Sequence, residues 1–287
     1  MYLVAERGGR IEKEDAAQDR LISLLYNHAA GRLFLKPIVS PIVSKVIGRF
    51  FDTRVSRVLI EPFIRRNKID MADYEKREFA SYNDFFTRRL ASGAREVRQE
   101  PEVFVSPCDS RLSVCKIDEK NIFSIKHTCY TVESLLRNRE LAQRYVGGYA
   151  WIFRLRVDDY HRYIFVDGGR VSESKRIPGV FHTVSPIAND KIPIYKENTR
   201  EYSILWSENF GTVLQMEVGA MLVGKIENYS VGREVHRGQE KGKFAYGGST
   251  IILLTRNGAV HPDRDILKNS IRGIETKIRL GEQVGTV

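Results

Sequence analysis

A serine behind two glycines is the first place in this sequence where chemistry could begin. Gly247-Gly248-Ser249-Thr250 lies between Phe244-Ala245-Tyr246 and the apolar run Ile251 to Leu254. Glycines let the backbone reach conformations closed to other residues and leave the next side chain unhindered. A hydroxyl there could attack the preceding carbonyl, if the peptide is strained and its oxygen is met by donors. The same residues also read as a plain glycine turn entering a strand. In Asp158-Asp159-Tyr160-His161-Arg162 a histidine stands beside carboxylates. That pairing makes a general base or acid near neutral pH, or simply a surface histidine in a charged loop. Ser106-Pro107-Cys108-Asp109-Ser110 is a turn with a carboxylate at its tip. Asp109 either bonds its own backbone or orients a histidine in a nucleophile–base–orienter set. The stretch FASYNDFFTRRLASGAR, residues 79–95, mixes aromatics with arginines. It suits contact with lipid or nucleic acid, but reads best as an aromatic helix end covering the core.

The elements that must position these residues fall into two parts. The first hundred or so residues read as helical and the rest as mostly strand, with a boundary near Arg95 to Pro101, where GAREVRQEP interrupts both patterns. Ser40-Pro41 is a helix start, serine at the N-cap and proline at the first helical position. Ile42, Val43, Val46, Ile47, Phe50 and Phe51 then recur on one face, with Ser44, Lys45, Gly48 and Arg49 on the other. Basic residues outnumber acidic ones from Gly31 to Asp70. An apolar stripe flanked by positive charge suits an interfacial helix on anionic lipid, or a helix packed on the protein's own core. Further on, residues 151–157 (WIFRLRV) and 249–254 are strand-like, Asp167-Gly168-Gly169 reads as a hairpin turn after Tyr163 to Val166, and Thr212 to Val218 alternates as a half-buried antiparallel strand.

Composition sets the outer limits. A hydrophobic fraction of 42% and a charged fraction of 29% over 287 residues belong to a folded globular chain rather than a disordered one. The net charge of +10 points to anionic lipid, nucleic acid or acidic substrates. No nucleic-acid-binding motif accompanies it, so nucleic acid is not expected as a partner. Cys108, Cys115 and Cys129 form no C-x-x-C pair, so free thiols in a reducing compartment and no metal are expected. The N-terminal MYLVAERGGRIEKEDAAQDR lacks the pattern of a secretory signal, and no run of about eighteen apolar residues is present.

Taken together, the motifs resemble those of the phosphatidylserine decarboxylases over nearly the whole chain. YNDFFTRRLASGAR is similar to the family's N-D-F-F-x-R-x-L signature, VSPCDSRL to its S-P-x-D-G region, and FSIKHTCYTVESLL to its F-x-I-K-G-x-x-Y-x-L-x-x-L-L stretch. DYHRY, VGAMLVGKI and RGQEKGKFAYGGSTIILL follow in the family's order, with Gly-Gly-Ser-Thr as a variant of its Leu-Gly-Ser-Thr cleavage motif. The resemblance implies an α+β fold: an N-terminal helical, membrane-associating region (1–98) followed by a mostly antiparallel, sandwich or barrel-like catalytic domain (99–287). It implies self-cleavage between Gly248 and Ser249 into a β chain (1–248) and an α chain (249–287) that remain associated, and a homodimer is carried as a further expectation. The α chain would begin with a pyruvoyl group made from Ser249, the cofactor for converting phosphatidylserine to phosphatidylethanolamine on the cytoplasmic face of a bacterial membrane. A pyruvoyl decarboxylase of a soluble amino acid and an uncleaved, inactive membrane-binding homologue are the alternatives.

One departure bears on the mechanism. The family commonly reads D-Y-H-R-x-H, its second histidine serving as base in self-cleavage, and here that second position is Ile164. Isoleucine accepts no proton, so His161 is expected to take the role with Asp109 as its orienter, and His182 in GVFHTVSP is the second choice. Ser110 and His127 stand where the family often has glycine, and both are expected to alter only local turns.

Overall fold

The structure is a computed structural model. It describes residues 2–14, 25–26, 39–125, 128–190, 192–220, 225–230, 232–245 and 249–287. An α+β architecture of mostly antiparallel sheets with short helices is confirmed. In chain order the strands are β1 (Tyr2–Ala5), β2 (Ile11–Glu14), β3 (Val103–Val105), β4 (Ser110–Lys116), β5 (Ile122–Ile125), β6 (Thr128–Thr131), β7 (Tyr149–Leu155), β8 (Arg162–Ile164), β9 (Gly169–Val171), β10 (Lys175–Ile177), β11 (Arg200–Ser207), β12 (Gly211–Val218), β13 (Ile226–Asn228), β14 (Glu234–Val235), β15 (Glu240–Phe244), β16 (Ser249–Thr255), β17 (His261–Pro262), β18 (Glu275–Ile278) and β19 (Gln283–Thr286). The large sheet runs β14-β9-β11-β12-β16-β7-β4-β18-β1-β2, with β10 also on β11. Its centre, β12-β16-β7-β4, is antiparallel throughout.

Alternation along these central strands sends side chains into two cores. Ile252, Leu254, Leu214, Met216 and Val218 enter one, which the helices Val132–Leu136 and Arg139–Gln143 cover. Ile251, Leu253, Phe153, Leu155 and Leu112 enter the other, where Tyr163 of β8 and Phe244 of β15 meet them. A three-stranded sheet, β13-β15-β8, thus lies over the face of the large sheet that Ser249 shares with Ile251 and Leu253.

Three sequence expectations change. The N-terminal residues are not helical throughout, because β1 and β2 form a hairpin whose β1 joins β18 in parallel. Its turn uses Gly8 and Gly9 at φ +100° and +106°, a backbone that L side chains rarely adopt, and the Gly-Gly pair was the unread signal. Asp167-Gly168-Gly169 joins no hairpin. β8 and β9 belong to different sheets, and Asp167 anchors the crossing by accepting hydrogen bonds from Asn209 and Arg237. Strand β12 is covered on both faces, for Gln215 and Glu217 are 2% and 0% exposed. Glu217 accepts a 2.6 Å hydrogen bond from the buried Lys241 ammonium, so a polar residue here does not mark a solvent face.

Helix α1 (Pro41–Phe51) forms as its start signal requires, with the Ser40 hydroxyl accepting from the Ile42 N–H. Its stripe divides: Val43, Ile47 and Phe51 are half-buried, whereas Ile42, Val46 and Phe50 are 72%, 61% and 47% exposed. Ser44, expected on the polar face, is buried. Helices α2 (Ile60–Asn67) and α3 (Tyr82–Phe86) follow. Ser81 caps α3 through the Asp84 N–H, and Phe85 and Phe86 are fully buried. Among the described residues no helix is long and apolar enough to cross a membrane.

Candidate active site

Ser249 opens β16 and faces Leu155 of β7. It is fully buried, and its hydroxyl has no hydrogen-bond partner among the described residues. The residue before it, Gly248, lies outside the described residues, as do Gly247 and His127. The end of β15 ties this position to the histidine. Phe244 donates its N–H to the His161 carbonyl at 2.9 Å, and the chain needs only residues 245–248 to pass from Phe244 to Ser249. Five residues span at most about 17 Å. His161 and Ser249 therefore lie at the same end of the space between the two sheets.

His161 is fully buried and stacks on Phe86, ring centres 4.0 Å apart. Its Nδ1 is 2.9 Å from the Asp159 carbonyl. A carbonyl only accepts, so Nδ1 carries the proton and Nε2 is the basic nitrogen of the neutral ring. The Asp159 carboxylate accepts from Arg111 Nη1 of β4 at 2.7 Å and from the Arg156 N–H at 2.7 Å, which closes the turn. Burial, followed by the Asp159 charge, pushes the Asp158 carboxyl above its ordinary pKa.

Asp109 stands two strands from Ser249, across β7, or about 10 Å at the usual strand spacing. Its carboxylate is committed elsewhere. Arg95 donates Nε at 3.2 Å and Nη2 at 2.8 Å, and the Leu280 N–H donates at 2.7 Å. Arg95 also reaches Asp73 at 2.8 Å. Burial lowers the Arg95 pKa, but the hydrogen bonds and charges of Asp109 and Asp73 outweigh it and raise the value. Asp109, Arg95, Arg111, Asp158 and Asp159 line a cleft of about 200 Å³ that Asn67 to Asp70, Asp73 and Tyr74 help to line. Ile164 is buried against Tyr74, Tyr160 and Leu280, an apolar cluster beside the Asp109 turn.

His182 is placed apart from these groups. Its Nδ1 meets the Tyr26 hydroxyl at 3.1 Å, its N–H donates to Asn198, and burial lowers its pKa. Its neighbour Val184 belongs to the core on the far side of the large sheet. Sequence reasoning passed over Arg95, Arg111 and the Asp159 carbonyl. Spacing carries no signal for the two arginines, because each is paired across the fold, and a backbone carbonyl has no residue type to mark it.

The motif segments that carry Asp109, His161 and Ser249 lie close in the fold, whereas Phe123 and Leu136 pack on the other face of the large sheet. The profile of the phosphatidylserine decarboxylase family matches residues 82–286. The chain belongs to that family. It is 47% identical to phosphatidylserine decarboxylase proenzyme 2 of Clostridium acetobutylicum, over 92% of this chain and 91% of that one. The proenzyme of Clostridium novyi is 38% identical over 95% of each chain, and that of Ruminiclostridium cellulolyticum 41% over 95% and 93%.

Proposed function

We infer that this chain is a carboxy-lyase, made as a proenzyme, that converts phosphatidylserine to phosphatidylethanolamine. The observation that carries the reading is family membership over nearly the whole chain. A buried serine hydroxyl with no described partner, at the one Gly-Ser junction of the cleavage motif, supports it. In our reading the chain cuts itself between Gly248 and Ser249. His161 Nε2 takes the Ser249 hydroxyl proton as Oγ attacks the Gly248 carbonyl, and the peptide C–N bond breaks to leave an ester on Oγ and an amine on Ser249. Loss of the Ser249 α proton and of the Cβ–Oγ bond then frees residues 1–248 as a carboxylate, and water replaces the remaining nitrogen, which leaves as ammonia. His161 is ready for this because the Asp159 carbonyl holds its proton on Nδ1. Asp109, held by Arg95 and the Leu280 N–H, fixes the turn from which β4 departs and serves as the orienter of the set.

A pyruvoyl group at the new α-chain terminus fits a fully enclosed position flanked by Leu155 and Ile251, since it carries no charge to desolvate. Such a group supplies the conjugated carbonyls that draw electrons from the substrate as carbon dioxide leaves. His161 remains at hand to hold or return a proton.

The membrane is met, in this reading, by the outward stripe of Ile42, Val46 and Phe50, continued by Val55, Val58 and Leu59, all exposed. Arg49, Arg54, Arg57 and Arg66 stand exposed around it and suit anionic headgroups. The cytoplasmic face of a bacterial membrane, a pair of associated cleaved chains, a homodimer and a division near residue 98 complete the proposal.

The test is carbon dioxide release from phosphatidylserine vesicles compared with release from free serine. Vesicle-dependent release with phosphatidylethanolamine as product supports the assignment. Equal or faster release from the free amino acid would transfer it to a soluble substrate.

A further inference from the structure

Arg88 is a buried cation whose hydrogen bonds, among the described residues, go only to neutral groups. It is 1% exposed. Nη2 donates to the Tyr74 hydroxyl at 3.0 Å, to the Asp158 carbonyl at 3.1 Å and to the Asp159 carbonyl at 3.4 Å. Nε and Nη1 have no partner there. The guanidinium carbon stands 4.2 Å from the centre of the Tyr74 ring and 5.0 Å from that of Phe85. Aromatic faces soften the burial of a charge without replacing a counter-ion. An arrangement this unfavourable calls for a reason.

The reason lies one carbonyl away, for the Asp159 oxygen that receives Arg88 also receives His161 Nδ1. The other charges around this turn are already answered. Arg156 pairs with Asp158 at 3.1 Å, Arg111 from β4 pairs with Asp159 at 2.7 Å, and Arg162 pairs with Glu240 from β15 at 2.6 Å. From α3 the imidazole meets the Phe86 ring, and the Asp109 carboxylate is held by Arg95. Among the described residues, Arg88 is therefore a charge beside the imidazole that no carboxylate offsets.

We propose that Arg88 is a positioning residue for His161: it fastens the Asp158 and Asp159 carbonyls and keeps the ring neutral, with its proton on Nδ1 and its lone pair on Nε2. A guanidinium next to the ring disfavours a second positive charge there, and the fixed carbonyl selects the tautomer. Its enclosed nitrogens touch no substrate, so its effect passes entirely through the histidine. The proposal rests on His161 being the base.

The test uses the uncut Ser249→Ala chain and reads the ¹⁵N signals of the His161 ring against pH, with no dependence on cleavage or turnover. The expected result is a neutral ring with Nδ1–H. Adding Arg88→Met should raise the titration midpoint by about a unit and mix the tautomers. Arg88→Lys, which keeps the charge and preserves the fold if Met does not, should leave the midpoint within a few tenths. An unchanged midpoint in Arg88→Met, or a rise in Arg88→Lys as large as a lost charge would give, overturns the proposal. In the cleavable chain, Arg88→Met should slow self-cleavage about threefold near neutral pH, more strongly below it, and recover toward alkaline pH. Equal slowing at every pH would assign Arg88 to packing alone. Native protein that never cleaves would remove the base role of His161 while leaving the ring titration to stand or fall by itself.

Discussion

At the scale of single residues, the account rests on which atoms can exchange a proton near Ser249. Ser249→Ala removes the nucleophile, so an intact chain and no carbon dioxide release are expected; two normal fragments on a denaturing gel would refute the cleavage site. Asp109→Asn leaves Arg95, only 9% exposed, with Asp73 as its remaining carboxylate partner. Breaking a pair this buried costs about 3 kcal/mol. Lower resistance to denaturant and slower maturation are expected together, and maturation at the native rate would exclude Asp109 from the process. The reactive types at positions 109, 161 and 249 were legible in the sequence, because serine behind glycine and histidine beside aspartate are local patterns. Their partners were not. The Arg95–Asp109 pair spans fourteen residues and the Arg111–Asp159 pair forty-eight, and only the folded sheet brings them together.

Among the elements, α1 carries the clearest consequence. Its start was legible from Ser40-Pro41, and so was its apolar period, but the division into an outward and an inward half depends on what packs against it. Ile42 and Val46 are mostly exposed and Phe50 meets the edge of the Phe51 ring, so replacing all three with serine should leave thermal stability within a few degrees. The same change should weaken binding to anionic vesicles by at least about tenfold, given the transfer free energy of such side chains. Cosedimentation measures it, and undiminished binding would place the membrane contact elsewhere. Strand β12 carries the opposite lesson. Alternation predicted a solvent face, yet Glu217 is sealed by Lys241 and Asn228 from the overlying sheet, partners remote in sequence.

Over the whole molecule, what matters is how the two sheets are held in register around Ser249. Asp167 marks where the chain leaves the small sheet for the large one, and it ties Ser207, Asn209 and Arg237 to that crossing. Burial raises its pKa, but the hydrogen bonds from Ser207, Arg237 and Asn209 outweigh this and hold it below the ordinary value. A carboxyl depressed in the folded state adds stability that is complete above its unfolded pKa, about 3.9, and is lost as pH falls through the folded value. Asp167→Asn should therefore be clearly less stable than the native protein at neutral pH, with the gap narrowing below about pH 4. Denaturant midpoints across that range check it, and a gap independent of pH would show that Asp167 acts by packing alone. The sequence made the β-rich half legible as a class, whereas the order of its strands and the use of the N-terminal hairpin to extend the sheet depend on long-range pairing that no local pattern records. The most direct test of the central claim is the intact mass of freshly purified protein under denaturing conditions. Two chains divided between Gly248 and Ser249, the smaller lighter by ammonia than its serine-started sequence, are the predicted result and would show that Ile164 does not prevent maturation. One mass for all 287 residues, or a cut chain that still begins with serine, would contradict it.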